Sequence, residues 1–171
     1  MPELTQKERL QPSLLDRLTD DEPDKQQESR EQRVLSLRKL REGVLRDMVW
    51  LLNATNLAAT DDLDDYPETA RSVLNYGLPD LSGHTVSSID VPEIQRRLRQ
   101  VIIDFEPRLL RHTVKVRLLV SPEQMNHNAM TFEIEGELWA QPMPLHMFMR
   151  TELDLESGEC KVQEFGGQGG G

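Results

Sequence analysis

The sequence has a single cysteine, Cys160, among its 171 residues. One thiol excludes an internal disulfide and a zinc cage made of cysteines. The chain also lacks an apolar run near the ~20 residues that a membrane-spanning helix needs. Its first residues do not contain the apolar core of a secretory signal. These absences predict a cytoplasmic protein that does not insert into a membrane.

Basic charge is also in short supply, because 30 acidic residues outnumber 20 lysines and arginines and give a net charge of −10. This surplus argues against nucleic acid as a partner. The basic side chains are concentrated in residues 30–52 and 93–115, with six in each segment. Two interpretations remain open for these segments: solvated helix faces, or docking surfaces for an acidic partner.

Motifs for catalysis and ligand binding are missing as well. The sequence has no Gly-rich phosphate loop, no HExxH and no nucleophile elbow. Its four histidines show no paired metal-ligand spacing, so we predict no cofactor, no metal and no catalytic residue. Asp104 and Glu106 could be imagined as the two acids of a glycosidase. However, Asp104 lies off the apolar stripe of its segment, and aromatic residues make up only 5% of the chain.

The N-terminal residues 1–29 are predicted to be a mostly flexible arm, since they are polar and largely without periodicity. A short amphipathic motif at 13–18 stands out, because its apolar residues Leu14, Leu15 and Leu18 fall on one helical turn. One turn is too short to be stable alone. The motif therefore either folds back on its own domain or anchors another protein.

Residues 30–165 are predicted to form a single domain that begins with helices. The first helix covers 30–52, with apolar residues at three- and four-residue steps, and we expect Asn53 to end it in the left-handed conformation. A short helix over 67–76 would be capped by Asp65 and closed by Gly77. Another helix is predicted to start at Asp90, which with Glu93 forms a capping-box signal, and to stop before Pro107.

The apolar period changes from helical to two after Pro107, which indicates strands. Val114 begins the first alternating run, and further runs cover 130–138 and 145–155. A turn at 156–159 then leads to a short fourth strand through Val162. The predicted fold is α+β, with N-terminal helices packed on one face of a small three- or four-stranded antiparallel sheet. Residues 166–171 are predicted to be a flexible Gly-rich tail.

The junction between helix and strand carries two opposite charges, Glu106 and Arg108, around Pro107. Glutamate is unfavourable at the negative end of a helix dipole. If the three residues are extended, both charged side chains project to one side, and Phe105, Pro107 and Leu109 face the core. The pair is either a local ion pair or a preorganised contact site.

Four motifs in this order together resemble a known family: PSLLDRL at 12–18, LLN at 51–53, SVLNYGLPDLSG at 72–83 and FEPRL at 105–109. They look like TssE, a baseplate subunit of the bacterial type VI secretion system that is similar to the wedge protein of contractile phage baseplates. The resemblance covers most of residues 12–165.

The resemblance implies a non-enzymatic structural role in the bacterial cytoplasm, in a baseplate docked at the inner membrane complex. The implied partners are the wedge proteins TssF, TssG and TssK and the sheath proteins TssB and TssC. The protein would link the two and nucleate sheath assembly by adding a sheath strand to its sheet edge. The resemblance also implies that Glu106, Pro107 and Arg108 stabilise assembly, and we expect the leucines of the arm to tether the domain to the wedge.

The family has often been labelled lysozyme-like, so the alternative hypothesis is a peptidoglycan hydrolase acting on the cell wall. The sequence gives no independent support for that activity. The two hypotheses differ in what they predict for variants. Charge reversal at Glu106 or Arg108 should abolish sheath assembly without unfolding the domain, whereas a hydrolase should lose turnover on Glu106→Gln.

Overall fold

The computed structural model describes residues 14–18, 37–83, 90–119, 128–139 and 144–165. The predicted α+β fold is confirmed. These residues contain two long helices and several shorter helical elements. They are α1 Leu14–Leu18, α2 Leu37–Asn53, α3 Pro67–Ala70 and α4 Val91–Phe105, with 3-10 turns at Leu57–Ala59 and Val73–Asn75.

Four strands form one antiparallel sheet in the order β1-β2-β3-β4. Their bounds are β1 Lys115–Leu119, β2 Ala129–Leu138, β3 Leu145–Asp154 and β4 Cys160–Glu164. Each strand pairs with the next along the chain, as in a meander. The register aligns Ile134 with Val116 on one side and with Met149 on the other, so apolar residues of neighbouring strands share one face.

The core lies between this face and the two long helices. Helix α2 packs against β4 and helix α4 packs against β1, so each helix covers the sheet near one of its two edge strands. The predicted apolar stripes supply the contacts, with Val44 and Met48 of α2 and Ile102 of α4 all fully buried. Burial of these side chains is the main driving force for closing the helices onto the sheet.

The start of α4 follows the predicted signal. The Glu93 N–H donates to the Asp90 carboxylate at 3.2 Å, which satisfies one of the free amides of the first turn. Glu93 in turn forms an ion pair with Arg97 at 2.7 Å. The predicted stop is also found, because the helix ends at Phe105.

Two details of the helix predictions are wrong. The segment 67–76 is not one helix, because Ser72 is extended and divides it into α3 and a 3-10 turn, and its N-cap is Tyr66, not Asp65. Asn53 does not have a positive φ, which in the described residues is found only at Asn128 and three glycines. Its side chain has another role, described below.

Several predictions concern residues outside the described part of the chain. These are most of the arm at 1–29, the start of the first helix before residue 37, the end of the first strand at Val120, and the tail at 166–171. The domain boundaries therefore stay predictions. No helix among the described residues has both the length and the apolar character required to cross a bilayer.

Candidate functional site

The junction after α4 is a tight turn. The Glu106 N–H donates to the carbonyl of Ile102 at 2.9 Å, and the Leu109 N–H donates to the carbonyl of Glu106 at 3.2 Å. An extended segment would place Glu106 on the surface and Pro107 inside. Instead Glu106 is only 3% exposed, and Pro107 is exposed. The prediction that Pro107 faces the core and Glu106 projects away from it is therefore wrong, because side chains in a turn do not alternate with the two-residue period of a strand.

Glu106 and Arg108 do meet, and they pair with each other. The Arg108 Nε donates to Glu106 Oε1 at 2.7 Å, and its Nη2 donates to Oε2 at 2.5 Å. The backbone N–H of Arg108 also donates to Oε1, at 3.1 Å. Two parallel donors on one carboxylate form the bidentate geometry that makes such pairs strong and directional. A buried carboxylate is thereby supplied with donors, as burial of a charge requires.

Helix α2 contributes a second carboxylate to this guanidinium. Arg108 Nη2 also donates to Asp47 Oδ2 at 2.6 Å, across 61 residues of sequence. Burial of the guanidinium disfavours its charged form, but the hydrogen bonds and charges of Glu106 and Asp47 outweigh this and raise the pKa of Arg108 above its ordinary value. Arg108 therefore ties α2 to the turn after α4 as a permanent cation.

The carboxylates also influence a neighbouring tyrosine. Burial, followed by the charges of Asp47 and Glu106, raises the pKa of Tyr76. The Tyr76 ring packs edge-on against Phe105, with 5.3 Å between ring centroids. This contact brings the segment before α4 to the same junction.

The ion pairs continue from Asp47 to the arm. Arg46 donates to Asp47 Oδ1 at 2.8 and 2.9 Å, and its Nη1 donates to Asp16 Oδ1 at 2.5 Å. Gly43 lies beneath this point, because a Cβ there would be 3.6 Å from both Arg108 Nη1 and Asp16 Oδ2. We call this series of ion-paired side chains, Asp16–Arg46–Asp47–Arg108–Glu106, the charge chain. It connects α1, α2 and the junction.

The arm motif thus folds back on its own domain, and Asp16 makes a contact that holds it there. Leu15 is 45% exposed and Leu18 is 73% exposed, while the polar Asp16 makes the described contact with α2. The side chain of Leu14 lies outside the described residues. Trp50 of α2 is 50% exposed, and Arg46 lies over its ring at 5.0 Å. Docking the motif through Asp16 leaves apolar surface on the outside.

The β4 edge of the sheet is partly occupied by α2. Asn53 accepts the Cys160 N–H at 2.9 Å and donates to the Cys160 carbonyl at 2.8 Å, so its amide bonds both backbone groups as a paired strand would. Farther along, Arg41 donates to the carbonyl of His146 on β3 at 2.8 Å. Side chains that occupy backbone groups in this way limit unwanted strand pairing.

Two residues of β4 still present backbone groups at this edge. The Phe165 N–H donates to Phe148 on β3, and the carbonyl of Glu159 accepts from Asp154. Because backbone direction alternates along an antiparallel strand, Val162 and Glu164 then face away from β3, as Cys160 does. Among the described residues, neither of these two outward amides pairs with another strand.

Helix α4 occupies the opposite edge. Arg99 Nε donates to the carbonyl of Val114 at 2.9 Å, and Gln95 Nε2 donates to that of Val116 at 3.3 Å. Val116 is in β1, so side chains of α4 restrict access to the sheet edge at the start of this strand. The edge at β4 is therefore the one whose end is more open in the described structure.

Other chemistry in the described residues is limited. No group of three or more His, Cys, Asp or Glu side chains within the described ranges could hold a metal ion. Asp104 is on the exposed side of α4, where Gln100 donates to both of its oxygens at 2.9 Å. Cys160 is buried, and that burial raises the pKa of its thiol to about 12, so it is a poor nucleophile at neutral pH.

Reasoning from sequence did not find the partners of the predicted site. Glu106 and Arg108 were selected, but Asp47, Asp16 and Asn53 were not assigned to it. The one available signal was an acidic residue, Asp47, next to the buried stripe position Met48 in a basic helix. Contacts across 61 or 107 residues depend on how the helices cross the sheet, which periodicity does not specify.

The chain is similar to a known protein family. The family described as baseplate wedge protein gp25 matches residues 38–143. That range contains all of α2 except its first residue, together with the junction and β2, and thus the part of the charge chain that joins α2 to the junction. No curated protein and no solved structure matches the chain.

Proposed function

Because the chain belongs to the baseplate wedge protein gp25 family, which includes TssE-like proteins, we propose that it is the TssE-type subunit of a bacterial type VI secretion baseplate. Membership of this family makes the protein a structural component of a phage-like baseplate. In our proposal it is not an enzyme. It joins the wedge proteins TssF, TssG and TssK to the TssB–TssC sheath and nucleates sheath assembly in the cytoplasm, at a baseplate docked on the inner membrane complex.

The observation that carries the sheath part of this proposal is the outward-facing backbone of β4 at Val162 and Glu164. An exposed strand edge is a template on which an extended segment of another protein can add. Asn53 occupies the groups of Cys160, so an added strand would find its first open position at Val162. Main-chain hydrogen bonds would supply affinity, and Asn53 would limit the register.

The junction residues have a positioning role in this proposal. Glu106 and Arg108 are bound to each other, Arg108 is also bound to Asp47, and Pro107 restricts the backbone between the two paired residues. This arrangement fixes the angle between α2, α4 and the start of the sheet. A rigid sheet edge loses little conformational freedom when a strand adds to it, which favours nucleation.

Burial of Glu106 changes the test that the sequence suggested. Reversing a charge that is 3% exposed would leave two like charges in the core, so we now expect Glu106→Arg to disturb the fold as well as assembly. Pro107→Ala is milder, because Pro107 is exposed and donates no hydrogen bond.

The decisive experiment alters the β4 edge alone. Glu164→Pro removes an amide that faces outward and leaves the ladder to β3 intact, so the domain should keep its melting temperature. Purified TssB–TssC should then fail to polymerise on baseplates that carry this variant. Normal polymerisation at unchanged stability would rule out strand addition at β4.

Two controls isolate the backbone effect. Glu164→Ala keeps the amide but removes the carboxylate that lies 3.5 Å from Arg41, and it should support assembly. Gln163→Pro removes an amide that faces β3, and it should lower stability as well as assembly. Together the three variants separate a lost hydrogen bond to the sheath from a damaged sheet.

The arm is proposed to tether the domain to the wedge through Leu14, Leu15 and Leu18. The exposure of Leu15 and Leu18 on a motif that Asp16 holds in place supports this role. Leu15→Ser with Leu18→Ser should weaken binding to purified TssF–TssG without changing stability. Equal binding by the variant and the original protein would exclude the tether.

The alternative, a peptidoglycan hydrolase, requires two acids that flank a substrate cleft. Both oxygens of Glu106 are engaged by Arg108, and Asp104 points to solvent from a convex helix face. Neither arrangement supports the reaction. Release of soluble glycan from cell walls by the purified protein, lost on Glu106→Gln at retained fold, would favour the hydrolase instead.

A further inference from the structure

The segment between α2 and α4 carries an apolar patch that no role described so far uses. Val73 is 78% exposed, Leu74 is 69% exposed and Tyr66 is 62% exposed. Val73 and Leu74 are adjacent in the 3-10 turn, and α3, which follows Tyr66, packs against that turn. Scattered exposed apolar residues need no explanation, but three large ones on a single short segment form a candidate contact surface.

The backbone beneath this patch is held in place from several sides. Asn75 donates to the carbonyl of Ala70 at 2.8 Å and accepts the Ala58 N–H at 2.9 Å. Ser72 caps the turn by accepting the Leu74 N–H at 3.2 Å. The turn is therefore fixed by polar side chains and presents its apolar side chains outward, which is the reverse of a loop that folds to bury them.

The end of the patch is held by a glycine against Ala54, the residue that follows α2. Gly77 has φ +115°, and a Cβ there would lie 2.1 Å from the carbonyl oxygen of Ala54. The Leu78 N–H donates to that same carbonyl at 2.8 Å. Only glycine permits this conformation and this approach together. The segment thus has a preset geometry before any partner binds.

Negative charge adjoins the patch along the chain. Residues 57–76 contain five acidic side chains against one basic, Arg71. The acidic residues are exposed, and they are Asp61, Asp62, Asp64, Asp65 and Glu68. None of them forms an ion pair with another described residue. An apolar centre with an acidic rim is complementary to an apolar pocket with a basic rim.

A second copy of this chain is a poor match for that rim. Its basic helix faces are already paired locally, with Arg38 on Glu42 at 2.8 Å and Arg97 on Glu93 at 2.7 Å. Arg96 also bonds Glu93, at 2.5 Å. Each copy also carries a net charge of −10, so two copies repel one another and a different protein is the better source of positive charge.

We infer that Val73 and Leu74, with Tyr66 and the carboxylates at 61–68, form a docking surface for a neighbouring baseplate subunit that offers an apolar pocket rimmed by arginine or lysine. This inference rests on the proposed function, because it requires the protein to sit in a wedge beside other subunits. The surface is separate from the β4 edge and from the arm leucines, so the protein would hold its neighbours at three places.

The test uses the full chain and purified TssF–TssG from the same bacterium, with titration calorimetry at low and high salt. Val73→Ser with Leu74→Ser should raise Kd at least tenfold, since the variant loses the free energy of burying two apolar side chains in the partner's pocket. Replacing the four aspartates at 61–65 by asparagine should raise Kd at low salt and reduce the salt dependence of binding. Glu156→Gln with Glu159→Gln, two exposed carboxylates in the β3–β4 turn, is the matched control and should bind normally.

The outcomes separate the two levels of the proposal. If the unaltered protein does not bind TssF–TssG, the proposed function fails and this inference fails with it. If it binds and the Val73–Leu74 variant binds equally well, only the docking surface is wrong. If that variant instead abolishes self-association in sedimentation velocity, the surface belongs to a second copy and the assigned partner is wrong.

Discussion

The same kinds of ion pair occur at two places in this protein with different surroundings. At the junction, Arg108 bonds Glu106 and Asp47 at 2.5–2.7 Å, and the Glu106 side chain is 3% exposed. On the outer face of the sheet, Lys115 lies 3.5 Å from Glu135 and Arg150 lies 3.6 Å from Glu133. Both sets join separate elements, but only the first contains a charged side chain, Glu106, that is almost fully removed from water.

This difference decides what each set contributes. Exposed pairs gain little, because water and salt screen them and long side chains lose freedom. A buried pair is costly to desolvate, yet removing one partner leaves the other charged and unsolvated. The junction therefore specifies one arrangement of α2 and the turn, whereas the outer pairs chiefly keep the sheet face polar. Three experiments, from the largest expected effect to the smallest, test this contrast.

The largest effect is expected for Arg108→Met. The substitution leaves the buried carboxylate of Glu106 without its cation and frees Asp47 from the junction, so we expect about 3 kcal/mol of destabilisation in urea unfolding. The matched experiment adds Glu106→Leu. If desolvation is the cause, the double variant should be more stable than Arg108→Met alone. A loss below about 1 kcal/mol would mean that the junction behaves as an exposed pair.

A much smaller effect is expected on the outer face. Glu135→Gln removes the partner of Lys115, whose side chain is 55% exposed, and should change the free energy of unfolding by less than about 0.5 kcal/mol. That small change should disappear in high salt, whereas the effect of Arg108→Met should persist. A salt-resistant loss of stability in Glu135→Gln would mean that the outer pairs contribute to stability in the same way as the junction pair.

The smallest effect concerns a carboxylate held by backbone donors. Asp154 accepts the N–H groups of Ser157 and Glu156 at 3.1 and 2.8 Å, and these hydrogen bonds hold its pKa below the ordinary value. A lowered folded-state pKa contributes stability above the unfolded value of about 3.9, and that contribution is lost as the pH falls through the folded pKa.

Asp154→Asn keeps a similar acceptor and removes the charge. The variant should melt slightly below the original protein at neutral pH, and the gap should narrow as the solution is acidified. Glu152→Gln, an exposed neighbour on β3, is the control and should show little difference at any pH. A gap at Asp154 that is independent of pH would show that the charge has no part in the turn.

The elements that periodicity predicted well are those in which burial follows the local pattern. The apolar stripes of α2 and α4 face the sheet, and the alternating runs became β2 and β3 within one residue of their predicted ends. The prediction of one helix over 67–76 is wrong, because the side chains of Ser72 and Asn75 form hydrogen bonds with the backbone that replace those of a continuous helix.

The amino-acid sequence by itself determined that this is a helix-then-strand α+β domain with a helix stop at Pro107 and two charges beside it. Local spacing and the fixed φ of proline suffice for that. Only the tertiary structure decided that Glu106 is buried, that Arg108 joins it to Asp47, and that Asn53 occupies the end of the β4 edge. Those contacts depend on how two helices cross one sheet, which is set by packing of the whole core and not by any short stretch of chain.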